Sequence, residues 1–132
     1  GHSVLVVGRS PEKTARVAAE ASADFLTADF ARLDDVRALA DSIRSKLDRI
    51  DVLVNNAGGV FGDRCPTADG YEKTFQVNHL AAFLLTSRLM DRLLASGGAS
   101  RRILKPSSSS SATTAAPASR KSRRRARSTG RR

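Results

Sequence analysis

The residues best suited to chemistry follow an apolar run in the middle of the chain. Residues 52–54 are Val-Leu-Val, which is typical of a strand buried on both faces of a parallel sheet, and Asn-Asn-Ala-Gly comes directly after them. Asparagine amides can join strand ends through hydrogen bonds, and the small Ala-Gly pair lets another group approach the backbone closely. This pattern points to a nucleotide-binding α/β enzyme, with the candidate binding residues Asn55, Asn56, Ala57 and Gly58.

Strands and helices must alternate before this motif to bring it to the edge of a sheet. An apolar run over residues 3–7 ends at Gly8 and predicts the first strand, and Ser10 followed by Pro11 predicts a helix start. Residues 24–29 predict a second strand. Apolar residues then recur at helical spacing at Val36, Leu39, Ala40, Ile43 and Leu47. The predicted fold class is therefore α/β, a partial doubly wound, Rossmann-type parallel sheet.

A long helix is predicted from about Gly70 to Ser96, because apolar residues recur with helical spacing and two glycines follow at 97 and 98. Its predicted apolar face contains Phe75, Val77, Leu80, Phe83, Leu84, Met90, Leu93 and Leu94. A fourth strand should begin within residues 101–104, but Lys-Pro follows at once and proline removes a backbone donor.

Charge divides the chain into two parts. Residues 1–100 contain 12 Lys and Arg against 13 Asp and Glu, whereas residues 101–132 contain 11 Lys and Arg and no acid. The pI of about 11.2 therefore describes a tail and not the fold. This tail includes five consecutive serines and has no apolar periodicity. We predict a domain over residues 1–104 and a low-complexity, disordered basic tail over residues 105–132.

Several functional classes are not indicated by the sequence. Cys65 is the only cysteine, so no intramolecular disulfide can form and a reducing compartment is allowed. His79 has no partner at metal-ligand spacing, so no metal site is predicted. The sequence contains no apolar run of ~18 residues and no signal segment, and we therefore predict a soluble, cytoplasmic protein without a membrane span.

The strand, the motif at 55–58 and the order of elements resemble the short-chain dehydrogenase/reductase family over about residues 3–104. The resemblance implies a nicotinamide cofactor and a small alcohol or carbonyl substrate. Arg9 stands where an acid would favour NAD and an arginine favours the 2′-phosphate of NADP, so NADP is preferred to NAD. Asp29 stands where a family carboxylate accepts a hydrogen bond from the adenine amino group. The motif at 55–58 corresponds to residues beside the adenine ribose.

Asn78 and its neighbours make the resemblance more specific. Residues 69–80 and 83–86 are similar to the retinol dehydrogenase-like and protochlorophyllide reductase-like branch of the family. In the family, an asparagine at the position of Asn78 binds a water that links the catalytic lysine to solvent. Asn78 is therefore the one catalytic residue that the resemblance carries over. The long helix is one of the family's usual dimer helices, which leaves a homo-oligomer open.

The other catalytic residues of the family are missing from these 132 residues. Hydride transfer in the family uses a tyrosine, a lysine four positions later and a serine. The only tyrosine here is Tyr71, and Phe75 stands four positions after it. The glycine-rich loop that cradles the pyrophosphate is absent as well. We therefore expect the chain itself to be catalytically inactive.

The family's central first strand also has no counterpart, which predicts a gap in the sheet. The edges at residues 4–7 and 52–54 would be unpaired unless they bind each other or another chain. We interpret the chain as a fragment, truncated at its start and read in a shifted frame after about Ile103. Two alternatives stay open. One is a binding protein whose Arg-rich tail contacts nucleic acid or another polyanion, and the other is an inactive family member that completes a partner's sheet.

Overall fold

Strands and helices alternate along the chain, as the sequence predicts. The computed structural model describes residues 3–62, 65–97, 99–102 and 113–116. The strands are β1 (Leu5–Gly8), β2 (Asp24–Thr27), β3 (Val52–Asn55), β4 (Ala99–Arg102) and β5 (Thr113–Ala116). The helices are α1 (Pro11–Glu20), α2 (Leu33–Lys46), α3 (Lys73–Phe75), a π-helical segment (Gln76–Leu80), α4 (Ala81–Arg88) and α5 (Met90–Leu94).

The strands form one sheet in the order β2-β1-β5-β3-β4. The β1–β2 and β3–β4 pairs are parallel, and β5 runs antiparallel to both β1 and β3. The predicted α/β class with a partial parallel sheet is therefore confirmed, with one antiparallel strand at its centre.

Strand β5 corrects one expectation from the sequence. The predicted central gap is filled by four residues that lie within the predicted basic tail. The physical reason is that two facing strand edges offer unpaired N–H and C=O groups to any extended segment, whatever its side chains. The remainder of the tail lies outside the described residues, and the boundary at residue 104 stays a prediction.

The core lies between the sheet and α2 with α4, and it explains why the predicted helix over 36–47 forms. Four of the predicted apolar positions, Val36, Leu39, Ala40 and Ile43, are buried, and Leu47 packs at the margin of the same cluster. Ile50, Leu53, Leu85 and Leu89 complete the most deeply buried part. Burial of each such leucine or isoleucine contributes about 1.5–3 kcal/mol, so this cluster holds α2 and α4 against the sheet.

The long helix predicted over 70–96 is interrupted twice. The π-helical segment interrupts the first half of the helix. The helix breaks a second time at Leu89, whose φ and ψ are −103° and 6°. The inner face therefore differs from the predicted one, because an added residue per turn rotates the positions that follow it. Small Ala81 and Ala82 lie inside, whereas Phe83 is 67% exposed. The predicted core positions that prove exposed are Phe75, Phe83, Met90 and Leu94.

Within the part of the chain that the structure describes, no helix combines the length and the apolar character needed to cross a bilayer.

We expect Thr114→Pro to destabilise the sheet. Thr114 pairs with Val6 on one side and with Val54 on the other, and proline in a central strand removes a ladder hydrogen bond and adds a steric clash. The loss should exceed about 1 kcal/mol, the net value of one hydrogen bond. Thermal unfolding followed by circular dichroism measures it. Thr114→Val, which keeps the donor and the β-branch, should melt within error of the parent or above it. Equal melting temperatures for the proline and parent proteins would contradict the central position of β5.

Candidate functional site

A cleft of about 590 Å³ opens at the carboxyl ends of β1, β2 and β3. Its walls are formed by three segments: residues 8–10 after β1, residues 28–31 after β2, and residues 56–61 after β3. Ligands of open α/β sheets bind in a crevice at this edge of the sheet, and the volume is within the range of small-molecule sites. Strand β5 separates β1 from β3, so the backbones of the walls after β1 and β3 are about 10 Å apart, or two strand spacings.

The first wall is a tight turn that places Arg9 and Lys13 at the cleft. The side chain of Ser10 caps α1 by accepting a hydrogen bond from Lys13 N, and Pro11 opens the helix, as the sequence predicts. The Thr14 hydroxyl donates to Ser10 O at 2.6 Å. A Cβ atom on Gly8 would lie 2.2 Å from Thr14 Oγ1, so only glycine allows α1 to pack this closely on β1.

The second wall is held by the side chain of Asp29. Its Oδ1 accepts a hydrogen bond from Ala31 N at 2.9 Å, while Asp29 N donates to Asp35 Oδ2 at 3.3 Å. Asp35 lies in the first turn of α2, where a carboxylate is favoured by the helix dipole. The backbone of this wall is therefore fixed by local side chains, and the Asp29 carboxylate stays at the cleft.

A buried amide connects the second wall to the π-helical segment. Gln76 has no exposed surface, and its Nε2 donates to Asp69 Oδ2 at 2.8 Å and to Phe30 O at 3.4 Å. Its Oε1 accepts from the Thr67 hydroxyl. Asp69 Oδ2 also accepts from Leu33 N at 2.9 Å, so Asp69 caps α2 from another loop. The Leu33 and Gln76 hydrogen bonds hold the pKa of Asp69 below its usual range.

The third wall contains the Asn-Asn-Ala-Gly motif and is held by Asn78. The Asn78 amide forms two hydrogen bonds with one residue: Oδ1 accepts from Gly59 N, and Nδ2 donates to Gly59 O, both at 2.8 Å. A Cβ atom on Gly58 would lie 2.7 Å from Asn78 Oδ1, so this glycine permits the contact. Asn78 lies in the π-helical segment, an arrangement that is common at functional sites.

The structure brings most of the predicted binding residues to the cleft. Those that line it are Arg9, Asp29, Asn56, Ala57 and Gly58. Asn55 is not among the lining residues. It is only 7% exposed, and its Nδ2 donates to Thr86 Oγ1 at 3.0 Å, a hydrogen bond that joins β3 to α4. Asn78 acts on the third wall through Gly59. The cofactor contacts assigned to these residues, and the water assigned to Asn78, stay predictions.

Sequence reasoning missed two residues that shape this site. The sequence predicts only that Gln76 lies in a helical segment, and its neighbour Val77 on the predicted apolar face is the one signal for a buried polar contact there. Lys73 lines the cleft and lies over the Phe61 ring, and no sequence signal distinguishes it from a surface lysine.

His79 stacks on Phe75 with ring centroids 5.3 Å apart, and Cys65 is exposed. Among the described residues, no cluster of His, Cys, Asp and Glu could hold a metal ion.

Comparison with known proteins confirms the family that the motifs resemble. The family model described as short chain dehydrogenase matches residues 1–119. A provisionally named daunorubicin C-13 ketoreductase of a Streptomyces species is 46% identical over 99 residues, which are 70% of this chain and 34% of the relative. Human retinol dehydrogenase 13 is 38% identical over 106 residues, 73% of this chain and 31% of the relative. The chain thus spans about a third of the length of these curated relatives.

Solved structures agree with this assignment. The Pseudomonas aeruginosa RhlG/NADP active-site complex has a TM-score of 0.57 and 29% identity, and the match covers 70% of this chain and 38% of that one. A 7α-hydroxysteroid dehydrogenase complexed with NADH and 7-oxo glycochenodeoxycholic acid has a TM-score of 0.62 and 27% identity, with coverage of 76% and 42%. A nicotinamide cofactor is common to both complexes.

We expect Asn78→Leu to loosen the third wall. Leucine leaves Gly59 N–H and C=O without the Asn78 amide, and because these groups are part-buried the loss should be about 1 kcal/mol. Asn78→Asp keeps an acceptor for Gly59 N but places a carboxylate oxygen against Gly59 O in place of a donor, so it should also lose stability. Urea unfolding at neutral pH measures both losses. Equal stability of the leucine variant and the parent would show that the Asn78 contact contributes nothing.

Proposed function

The chain belongs to the short-chain dehydrogenase family, and on that premise we propose that its cleft binds the adenosine half of NADP. The observation that carries the proposal is the place of Arg9 and Lys13, which line the wall after β1 at the edge where α/β sheets bind nucleotides. A guanidinium group presents a planar set of donors that matches a phosphate. No carboxylate of the described residues lies within ion-pair distance of Arg9 or Lys13.

Each wall of the cleft then has one role in binding. Arg9 contacts the 2′-phosphate, and Lys13 adds a second positive charge from the first turn of α1. The Asp29 carboxylate accepts a hydrogen bond from the adenine amino group, an orientation that the Ala31 N–H group helps to hold. Asn56, Ala57 and Gly58 provide the surface beside the adenine ribose, where small side chains allow close approach.

The parent activity we propose is oxidation of an alcohol or reduction of a carbonyl compound with NADP. Support comes from the relatives, whose names describe a ketoreductase and a retinol dehydrogenase. The nicotinamide would supply or accept hydride in such a reaction. The residues of this chain would bind and orient its adenosine end, and Asn78 would order the wall that faces the cofactor.

We further propose that these 132 residues do not themselves catalyse hydride transfer. The proton donor of the family, a tyrosine followed four positions later by lysine, has no counterpart, because Tyr71 is followed there by Phe75. Tyr71 is also half exposed and does not line the cleft. Without an acid to protonate the carbonyl oxygen, hydride transfer would have to form an unstabilised alkoxide.

The test of cofactor binding compares NADPH with NADH. Arg9→Met should weaken NADPH binding about 10-fold, since a charge-assisted hydrogen bond contributes about 1.5–3 kcal/mol and solvent at the cleft reduces it. NADH lacks the 2′-phosphate, so its dissociation constant should stay the same. Calorimetric titration at physiological salt measures both constants. Arg16→Met removes an exposed arginine of α1 that does not line the cleft, and it serves as the matched control. Equal loss for both nucleotides would contradict the role of Arg9, and no binding of either would contradict the proposal.

The test of catalysis follows NADPH absorbance in the presence of a reactive aldehyde. We expect no consumption of NADPH above the rate in buffer, even at NADPH concentrations that saturate the protein. All-trans-retinal is a suitable probe because retinol dehydrogenases are among the relatives. Catalytic turnover that scales with protein concentration, and that Asn78→Leu reduces, would show that the chain supplies a proton donor of another kind.

A further inference from the structure

Lys73 is a cation of the cleft that the binding scheme above does not use. It is the first residue of α3, it is half-buried, and it lines the cleft together with Phe61. Its Nζ lies 4.9 Å from the centroid of the Phe61 ring, which is within the range of a cation–π interaction. The ring therefore holds the ammonium group at the cleft, although the lysine side chain is otherwise long and mobile.

The ammonium group of Lys73 is not neutralised within the described part of the chain. The ion pairs among the described residues join arginines to Asp34, Asp35, Asp41 and Asp91, and none of them includes Lys73. An ammonium group has three N–H donors. An aromatic face attracts its charge, but it does not accept strong hydrogen bonds from these donors as a carboxylate would. The described lining of the cleft thus holds three cations, Arg9, Lys13 and Lys73, against one carboxylate, Asp29. This imbalance favours a ligand with more than one negative group.

Lys73 lies on a different wall from the other two cations. Arg9 and Lys13 belong to the segment after β1, whereas Phe61, over which Lys73 lies, follows β3. Strand β5 separates β1 from β3, so the backbones of the two walls are about 10 Å apart. Cations on both walls allow one ligand to be contacted at two different anionic groups.

We infer that Lys73 binds a phosphate of the dinucleotide other than the 2′-phosphate, and so forms a second anion contact across the cleft. The inference rests on the nucleotide binding proposed above and adds a residue to it. A side-chain cation on the third wall is a contact that the described residues offer to the 5′-pyrophosphate.

Binding of three different nucleotides distinguishes the two anion contacts experimentally. NADPH carries both the 2′-phosphate and the pyrophosphate, NADH carries only the pyrophosphate, and adenosine 2′-monophosphate carries only the 2′-phosphate. Lys73→Met should weaken NADPH and NADH by the same factor of about 5, the size of one partly exposed charged contact, and should leave adenosine 2′-monophosphate unchanged. Arg9→Met should show the reverse pattern, with NADH unchanged. In the double variant the two factors should multiply for NADPH.

Matched variants make the measurement specific to the site. Lys46→Met removes an exposed lysine at the end of α2, away from the cleft, and controls for the loss of one positive charge. Lys73→Arg should recover most of the NADH affinity, because it restores the cation over Phe61. Lys73→Gln provides a polar replacement if the methionine variant folds poorly, and circular dichroism checks each protein before titration.

The outcomes distinguish this inference from the proposed function. If the parent chain binds none of the three nucleotides, the proposed function fails and the inference fails with it. If the parent binds NADPH but Lys73→Met leaves NADH affinity unchanged, only the Lys73 inference is overturned. Weaker binding of adenosine 2′-monophosphate by Lys73→Met would also overturn it, because Lys73 would then belong to the 2′-phosphate contact.

Discussion

Hydrogen bonding of the facing edges of β1 and β3 is the constraint on which the rest of this structure depends. Each edge carries a row of N–H and C=O groups that must be paired if the apolar side chains beside them are to be buried. Strand β5 meets this requirement for both edges through three residue pairs on each side. It thereby keeps β1 and β3 at the separation that leaves a cleft between the segments that follow them. Direct pairing of the two strands would have brought those segments together and removed the space for a ligand.

The π-helical segment is the second element that shapes the cleft. Gln76 and Asn78 are two residues apart in it, and they bind different walls: Gln76 reaches Phe30 and Asp69, while Asn78 holds Gly59. Residues two positions apart in a helix point in different directions, so this one short segment connects the wall after β2 to the wall after β3.

Much of the fold could be predicted from the sequence because local signals and burial agree there. The Ser10-Pro11 start of α1, the helical spacing of α2 and the apolar strand before Asn55 each combine a backbone signal with a buried face. The cleft residues could be predicted because strand ends in a parallel sheet meet at one edge, which brings Arg9, Asp29 and Asn56 together.

Other features depend on tertiary contacts that leave no local signal. The pairing of β5 is determined by the edges it meets and not by Thr-Thr-Ala-Ala, a sequence without apolar alternation. The exposed side chain of Phe83 follows from the π-helical turn, which a periodicity of 3.6 residues per turn cannot represent. The Asp69 cap of α2 joins residues 36 positions apart, so the helix start at Leu33 shows no capping side chain of its own.

The register of β5 also has a consequence for the order of events during synthesis. Leu5 pairs with Ala115, so a strand made early must wait for a partner made much later. Until then the edges of β1 and β3 are exposed on the ribosome, where a growing chain is prone to bind other unfinished chains or chaperones. Contacts between residues so distant in sequence also form slowly, because the entropy of the intervening loop is lost before the strand pairing contributes any stabilisation. The helices around this sheet can therefore form long before the sheet itself is complete.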